Sequence, residues 1–182
     1  MRILSVSFAL AGAVLLSSCG KGGDVAGEIA RQDKAEADAV GQTLADSQQF
    51  LAANKAKPGV TVTASGLQYE IVKKGNEGLA PPGPRDTVNV MYEGKLADGT
   101  VFDSAYERGE PAQFEVDRVI NGWTEALQLM HPGSEFRLVI PPEIGYGEEG
   151  HPPVIPGNSV LVFKVELLGY ETPAGKKVGK FE

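Results

Sequence analysis

Cysteine and histidine are nearly missing: the 182 residues hold one Cys and two His. That supply cannot build a Cys/His zinc site on its own. An excess of positive charge is missing too. Lys and Arg number 17 against 24 Asp and Glu, for a formal net charge of -7. Such a chain repels phosphate backbones, which argues against nucleic-acid binding. No block of like charges forms a functional tail. There is no internal repeat, and no GxGxxG, P-loop or GxSxG motif. No apolar run reaches the ~20 residues that a spanning helix needs. What is present is a composition of 42% hydrophobic and 23% charged residues, which calls for a packed core. The length favours one domain plus extras.

The single cysteine is informative by position. The chain opens MRILSVSFALAGAVLLSSCGKGG. Arg2 is a short positive region, and Ile3 to Leu16 form an apolar run broken only by small residues. This fits a secretory h-region, so residues 1–18 are expected to be a signal peptide. Leu16-Ser17-Ser18-Cys19 resembles a bacterial lipobox, in which cleavage leaves Cys19 as a lipidated amino terminus. The alternative is an ordinary signal peptide with a chance cysteine. Each buried CH₂ of an acyl chain contributes about 0.8 kcal/mol, so several chains on Cys19 would anchor stably to a membrane. Gly20, rather than Asp, follows the cysteine, so the retention signal known for inner-membrane lipoproteins is lacking. The expected location is the cell envelope, in the outer membrane facing the periplasm.

Residues 19–57 are read as a tether and helical spacer. Lys21-Gly22-Gly23 is flexible. Val25, Ile29, Ala37, Val40, Leu44 and Leu51 roughly follow helical spacing. Gly27 and Gly41 weaken it, each by up to about 1 kcal/mol relative to Ala. Pro58-Gly59 ends the helix near Lys57. The stripe suits a helix that lies on its own domain or holds it off a membrane. A dimer seam is allowed but not supported, since a few weak apolar residues specify no partner.

From Leu67 the period changes to two. Leu67, Tyr69 and Ile71 alternate with polar residues. Val88 to Leu96 reads as a strand, closed by Ala97-Asp98-Gly99-Thr100, where the Asp-Gly pair suits a tight hairpin. Gln113 to Val116 is a short extended piece. Trp123, Leu127 and Met130 fall on one face of a short helix. Phe136, Leu138 and Ile140 mark one strand, and Leu161, Phe163, Val165 and Leu167 another. Between them lies PPEIGYGEEGHPPVIPGN, a long Pro- and Gly-rich loop, and such loops are usually functional. The expected fold is α+β: a twisted antiparallel sheet of four to five strands wrapped on one short helix, over residues 58–170. Residues 171–182 are expected to be a polar tail.

Three segments then line up in order. They are Tyr92-Glu93-Gly94 through Gly99-Thr100-Val101-Phe102-Asp103-Ser104, then Val119-Ile120-Asn121-Gly122-Trp123, then Gly145-Tyr146-Gly147 through His151-Pro152-Pro153-Val154-Ile155-Pro156, closed by Leu161 to Leu168. Over about residues 67–169 this resembles the FKBP family of peptidyl-prolyl cis–trans isomerases. The upstream FLAANKAKPGVTVTASGLQYEIVKKG resembles the join between helix and isomerase domain in the macrophage infectivity potentiator group.

The resemblance implies a pocket for X-Pro segments of unfolded or exported proteins. Tyr92, Phe102, Val119, Ile120, Trp123 and Phe163 match its lining, with Trp123 as the floor under the proline ring. The Ile120 N–H and the Tyr146 hydroxyl match donors to the substrate. Asp103 matches the carboxylate, which Arg108 helps to orient, and His151, Val154 and Ile155 lie on the flap over the site. Macrolides of the rapamycin type are implied as competitors, with no metal and no organic cofactor. Taken singly, Phe102, Phe163, Val119, Ile120 and Trp123 read better as core, Tyr92 as a packed aromatic, Tyr146 and His151 as solvent-facing loop residues, Asp103 as a turn cap and Arg108 as a solvated charge. The ordered set carries the resemblance. Two departures stand out: Ala112 replaces a rim residue that is often Phe, and the segment between Phe114 and Val119 is short.

The reaction sets the demand on such a site. Rotation about X-Pro faces a barrier of about 20 kcal/mol from lost amide resonance. Water favours the planar amide, with its charge separation, over the twisted one, so a dry pocket lowers the barrier. Three functions compete: a foldase, a binding module that holds unfolded chains, and a structural lipoprotein on a vestigial isomerase fold. The intact pocket set favours the first over the third. Acceleration of a prolyl peptide separates the first from the second.

Overall fold

The computed structural model describes Arg31, Lys34 and residues 43–181. Cys19 and the apolar positions Val25, Ile29, Ala37 and Val40 lie outside the described residues, and so do the signal-peptide and lipid-attachment expectations.

Helix α1 is described over 43–55. It ends two residues before the expected stop, in a turn where the Lys57 N–H bonds the Asn54 carbonyl at 3.0 Å. Then come β1 (Thr61–Val62), β2 (Gln68–Lys73), β3 (Thr87–Leu96), β4 (Val101–Ser104), α2 (Ala105–Arg108), β5 (Ala112–Glu115), α3 (Asn121–Leu127), β6 (Glu135–Ile140), β7 (Leu161–Glu171) and β8 (Lys177–Gly179). Every strand pair is antiparallel. The order is β1-β2-β6-β7-β3-β4, with β5 also on β3 and β8 on β7.

The sheet follows from alternation. Leu161, Phe163, Val165 and Leu167 on β7 are buried, as are Phe136, Leu138 and Ile140 on β6 and Val88, Val90 and Tyr92 on β3. These inward rows close on Trp123, Ala126 and Leu127 of α3. Each fully buried large aliphatic side chain contributes roughly 1.5–3 kcal/mol. Ala97 to Thr100 form the expected hairpin turn, with the Thr100 N–H donating to Asp98 Oδ1 at 2.8 Å.

Among the described residues eight strands are present where four to five were expected. The additions include two very short pieces, β1 and β8, whose two and three residues fall below the length at which alternation is readable. β8 also bears on the reading of residues 171–181. They turn at Thr172 to Lys176 and pair back onto β7, Tyr170 opposite Val178 and Glu171 opposite Lys177. The Asn89 side chain then donates to the Lys180 carbonyl at 3.3 Å. Met130 is a smaller difference. It is fully buried, but α3 stops at Leu127, and a turn with Met130 N–H on the Leu127 carbonyl carries it inward.

Helix α1 lies on its own domain and docks through polar groups. Asn54 donates to Gln68 Oε1 at 2.9 Å and accepts from Arg137 at 2.9 Å. Gln68 in turn donates to the Leu51 carbonyl at 3.1 Å. Asn54 and Gln68 are both buried. Removing one member of such a network leaves the others unpaired, at about 1–3 kcal/mol.

Candidate active site

A cavity of about 130 Å³ opens between the sheet and α3, lined by Tyr92, Phe102, Asp103, Phe114, Val119, Ile120, Trp123, Tyr146 and Phe163. The chain supplies its walls from seven places, one of them the link before α3 that carries Val119 and Ile120. Tyr92 comes from β3, Phe102 and Asp103 from β4, Phe114 from β5, Trp123 from α3, Phe163 from β7 and Tyr146 from the flap.

The floor is fixed by rings. Trp123 meets Tyr92 at 5.2 Å and 89°, Phe163 at 5.2 Å and 84°, and Phe114 at 5.8 Å and 81°. Phe102 meets Phe163 edge-on at 5.5 Å. Edge-to-face pairs of this kind contribute about 0.5–1.5 kcal/mol beyond burial. Three perpendicular neighbours leave the indole one orientation. The chain keeps Gly94 beneath two of these rings: a Cβ there would lie 2.6 Å from Phe163 and 2.7 Å from Phe102. Gly94→Ala is therefore expected to lower stability by about 1–3 kcal/mol through overpacking. A shifted urea midpoint at unchanged slope is the check, and an unshifted midpoint would mean that the rings move aside freely.

The rim carries one oriented carboxylate. The Tyr92 hydroxyl donates to Asp103 Oδ2, and Arg108 Nη1 donates to Asp103 Oδ1. Arg108 Nη2 also donates to the Tyr92 oxygen at 3.1 Å, and its guanidinium lies 5.5 Å from the Tyr92 ring centre. Arg108 is delivered by α2, a single turn capped by Ser104, whose hydroxyl accepts from the Glu107 N–H at 3.2 Å. Both side chains of the ion pair are 43% exposed, so the pair serves orientation more than stability. Burial alone would raise the Asp103 pKa. The Tyr92 hydroxyl and the Arg108 guanidinium outweigh it and hold the carboxyl below its ordinary value. The Tyr92 hydroxyl is pushed up, first by burial and then by its bond to Asp103. The Tyr146 hydroxyl is pushed up by burial, with a smaller push from the Asp103 charge.

Tyr146 and Ile120 both line the cavity. Tyr146 is 38% exposed. Ile120 precedes α3, whose first turn bonds to the Ile120 carbonyl through the Trp123 and Thr124 N–H groups. The Ile120 N–H is not taken up by any backbone bond of that loop. Among the described residues no group of three or more His, Cys, Asp or Glu gathers.

The structure thus brings Tyr92, Phe102, Asp103, Val119, Ile120, Trp123, Tyr146 and Phe163 to one cavity. Arg108 stands behind Asp103 rather than on the wall. His151 stacks on Tyr146 at 5.4 Å and 22°, supporting the flap without lining the cavity. Val154 is exposed on the flap and also off the wall. Ile155 is buried at 3% exposure in the same cluster as Trp123, Tyr92 and Phe163, is bridged to His151, and is not on the cavity wall itself. Phe114 is the lining residue that sequence reasoning missed. The signal was available: Ala112, Phe114 and Val116 face inward at alternate positions while Gln113 and Glu115 are exposed.

Comparison with known proteins agrees with this geometry. The family model for the FKBP-type peptidyl-prolyl cis-trans isomerase matches residues 78–168, and the domain amino terminal to it matches residues 9–71. The peptidyl-prolyl cis-trans isomerase Mip of Coxiella burnetii is 51% identical over 122 residues, covering 67% of this chain and 52% of that protein. The FKBP-type 22 kDa peptidyl-prolyl cis-trans isomerase of Escherichia coli is 49% identical over 150 residues, covering 80% of this chain and 72% of its own. The chain spans about half the length of the first two curated relatives it matches, at 52% and 51%. Among solved structures, FkpA from Escherichia coli superposes with a TM-score of 0.75 at 38% identity, covering 81% of this chain and 70% of that one. With two adjoining family models, a relative covered over most of its length and the same architecture, the chain belongs to the FKBP-type peptidyl-prolyl cis-trans isomerase family.

Proposed function

We propose that the chain is an active peptidyl-prolyl cis–trans isomerase that takes X-Pro segments of exported proteins into the Trp123 cavity. The observation that carries this is the aromatic box around Trp123, with one oriented carboxylate at its rim. The proline ring rests on the indole face, and the rings exclude water from the amide. As the amide twists, the nitrogen lone pair localises and the carbonyl carbon loses its donation. The fixed Asp103 charge favours that more positive carbon. The Ile120 N–H and the Tyr146 hydroxyl hold substrate carbonyls through the turn. No proton is transferred, so the site needs shape and charge rather than a titrating acid or base.

That absence is testable. The carboxyl of Asp103 lies below its ordinary value and the hydroxyls of Tyr92 and Tyr146 above theirs. All three keep one protonation state through the neutral and mildly alkaline range. Between pH 7.5 and 9.5, kcat/KM is expected to change by no more than about twofold. Activity should fall only as pH drops below the ordinary carboxylate range, where Asp103 gains its proton and the ion pair is lost. A unit slope inside the alkaline window would instead mark a catalytic acid or base. Peptide binding without acceleration would support the binding module in place of the foldase.

The same reading puts the protein in the cell envelope, anchored through lipid on Cys19. One relative is named an outer membrane protein, MIP of Legionella longbeachae, at 46% identity. Among the described residues no helix is long and apolar enough to cross a membrane. Acyl chains on Cys19 are checked by intact mass before and after lipase treatment. Macrolides of the rapamycin type would compete for the cavity, and Ala112 in place of a rim ring would weaken them.

A further inference from the structure

Helix α1 reaches the limb behind the flap through a buried polar side chain, Ser47. Ser47 is 3% exposed. Its hydroxyl donates to the Asn158 carbonyl at 2.6 Å and accepts from the Val160 N–H at 3.2 Å. These two backbone groups lie on the limb that returns from the flap into β7. A neighbouring strand would satisfy them with its own N–H and C=O, and Ser47 does so with a single oxygen.

That limb is bonded to the residue that follows Tyr146. The Asn158 N–H donates to the Gly147 carbonyl at 2.8 Å, and the Gly147 N–H donates to the Pro142 carbonyl at 2.9 Å. Gly147 directly follows Tyr146. The two limbs pack backbone on backbone: a Cβ on Gly157 would lie 1.9 Å from the Glu148 carbonyl oxygen. Asn158 itself sits in the left-handed region at φ 59°, a conformation that persists when the surroundings hold it.

We propose that Ser47 is a positioning residue for the isomerase cavity. It pins the returning limb through Asn158, and through Gly147 it fixes where the Tyr146 hydroxyl meets the substrate. One oxygen on the amino-terminal helix thereby couples that segment to catalysis. The catalytic half of this inference rests on the isomerase reading above.

Asn54 provides the control. It is on the same helix, two turns further along, and equally buried, but its partners Gln68 and Arg137 are not on the flap. The experiment compares Ser47→Ala and Asn54→Ala in the full chain. It reads amide hydrogen exchange at Gly147, Asn158 and Val160, together with KM and kcat on a proline peptide. Ser47→Ala is expected to speed exchange at Asn158 and Val160 by about tenfold. It should raise KM about fivefold with kcat within about twofold, since the loss is in placing the substrate. Asn54→Ala should change none of these. Wild-type flap exchange in Ser47→Ala overturns the pin. So does an Asn54→Ala variant that matches it, since the effect would then be general loosening of α1. Faster exchange with unchanged KM and kcat overturns the link to catalysis. The exchange measurement needs no activity, so a wild type that fails to accelerate the peptide is told apart from a failure of the pin.

Discussion

Trp123→Ala is expected to lower kcat/KM by about a hundredfold, a loss of about 2.7 kcal/mol of transition-state stabilisation. The indole is the contact point of three other rings and, on the proposed reading, the surface under the proline ring. Its removal lets water into the cavity and frees Tyr92, Phe114 and Phe163 to collapse. Stability should fall as well, by about 3–5 kcal/mol, the usual range for deleting a buried large aromatic. The two losses need separating. Trp123→Phe keeps a ring over part of the area, and it should remain folded with a rate loss nearer tenfold. Urea unfolding beside the prolyl-peptide assay gives both numbers for each variant. A folded Trp123→Ala with the wild-type rate would remove the cavity from the reaction.

Asp103→Ala should separate rate from stability in the opposite sense. The carboxylate and Arg108 are each 43% exposed, so their ion pair is well solvated. The stability change is therefore expected to stay within about 1 kcal/mol. The rate should fall by about thirtyfold, because a fixed charge beside the twisting amide is worth about 2 kcal/mol once the bound substrate has displaced water from the rim. Asp103→Asn keeps the shape and removes the charge. If charge is what acts, Asn should behave like Ala. If the Asn variant keeps the wild-type rate, Asp103 serves as a hydrogen-bonding tie for Tyr92 and Arg108, and the electrostatic part of the mechanism is wrong.

Sequence pattern reached some parts of this molecule and not others, for physical reasons. β7 was readable because Leu161, Phe163, Val165 and Leu167 alternate strictly, and the strand is central enough to bury every one of them. The hairpin at Asp98-Gly99 was readable because its turn chemistry is local. The cavity was readable through resemblance, as an ordered set of residues no one of which is distinctive. Phe114 lacked such a motif, and only its alternation with Ala112 and Val116 could have found it. β8 has three residues and a single apolar one, Val178, too little signal to set against a polar tail. The burial of Ile155 had no periodic signal, because that residue sits in a loop bridge to His151. Ser47 is the extreme case. A serine among Ala, Asp and Gln reads as a solvated helix face, and its partners lie 111 and 113 residues away. Local propensity carries no record of contacts at that distance.

The most direct measurement follows the cis-to-trans relaxation of a proline peptide with and without the chain, over several residues before proline. Uncatalysed relaxation takes tens of seconds or more, so catalysis is easy to see. The wild type should accelerate it, and folded Trp123→Ala and Asp103→Ala should lose most of that acceleration. A folded wild-type chain that binds the peptides and leaves their relaxation unchanged would contradict the account.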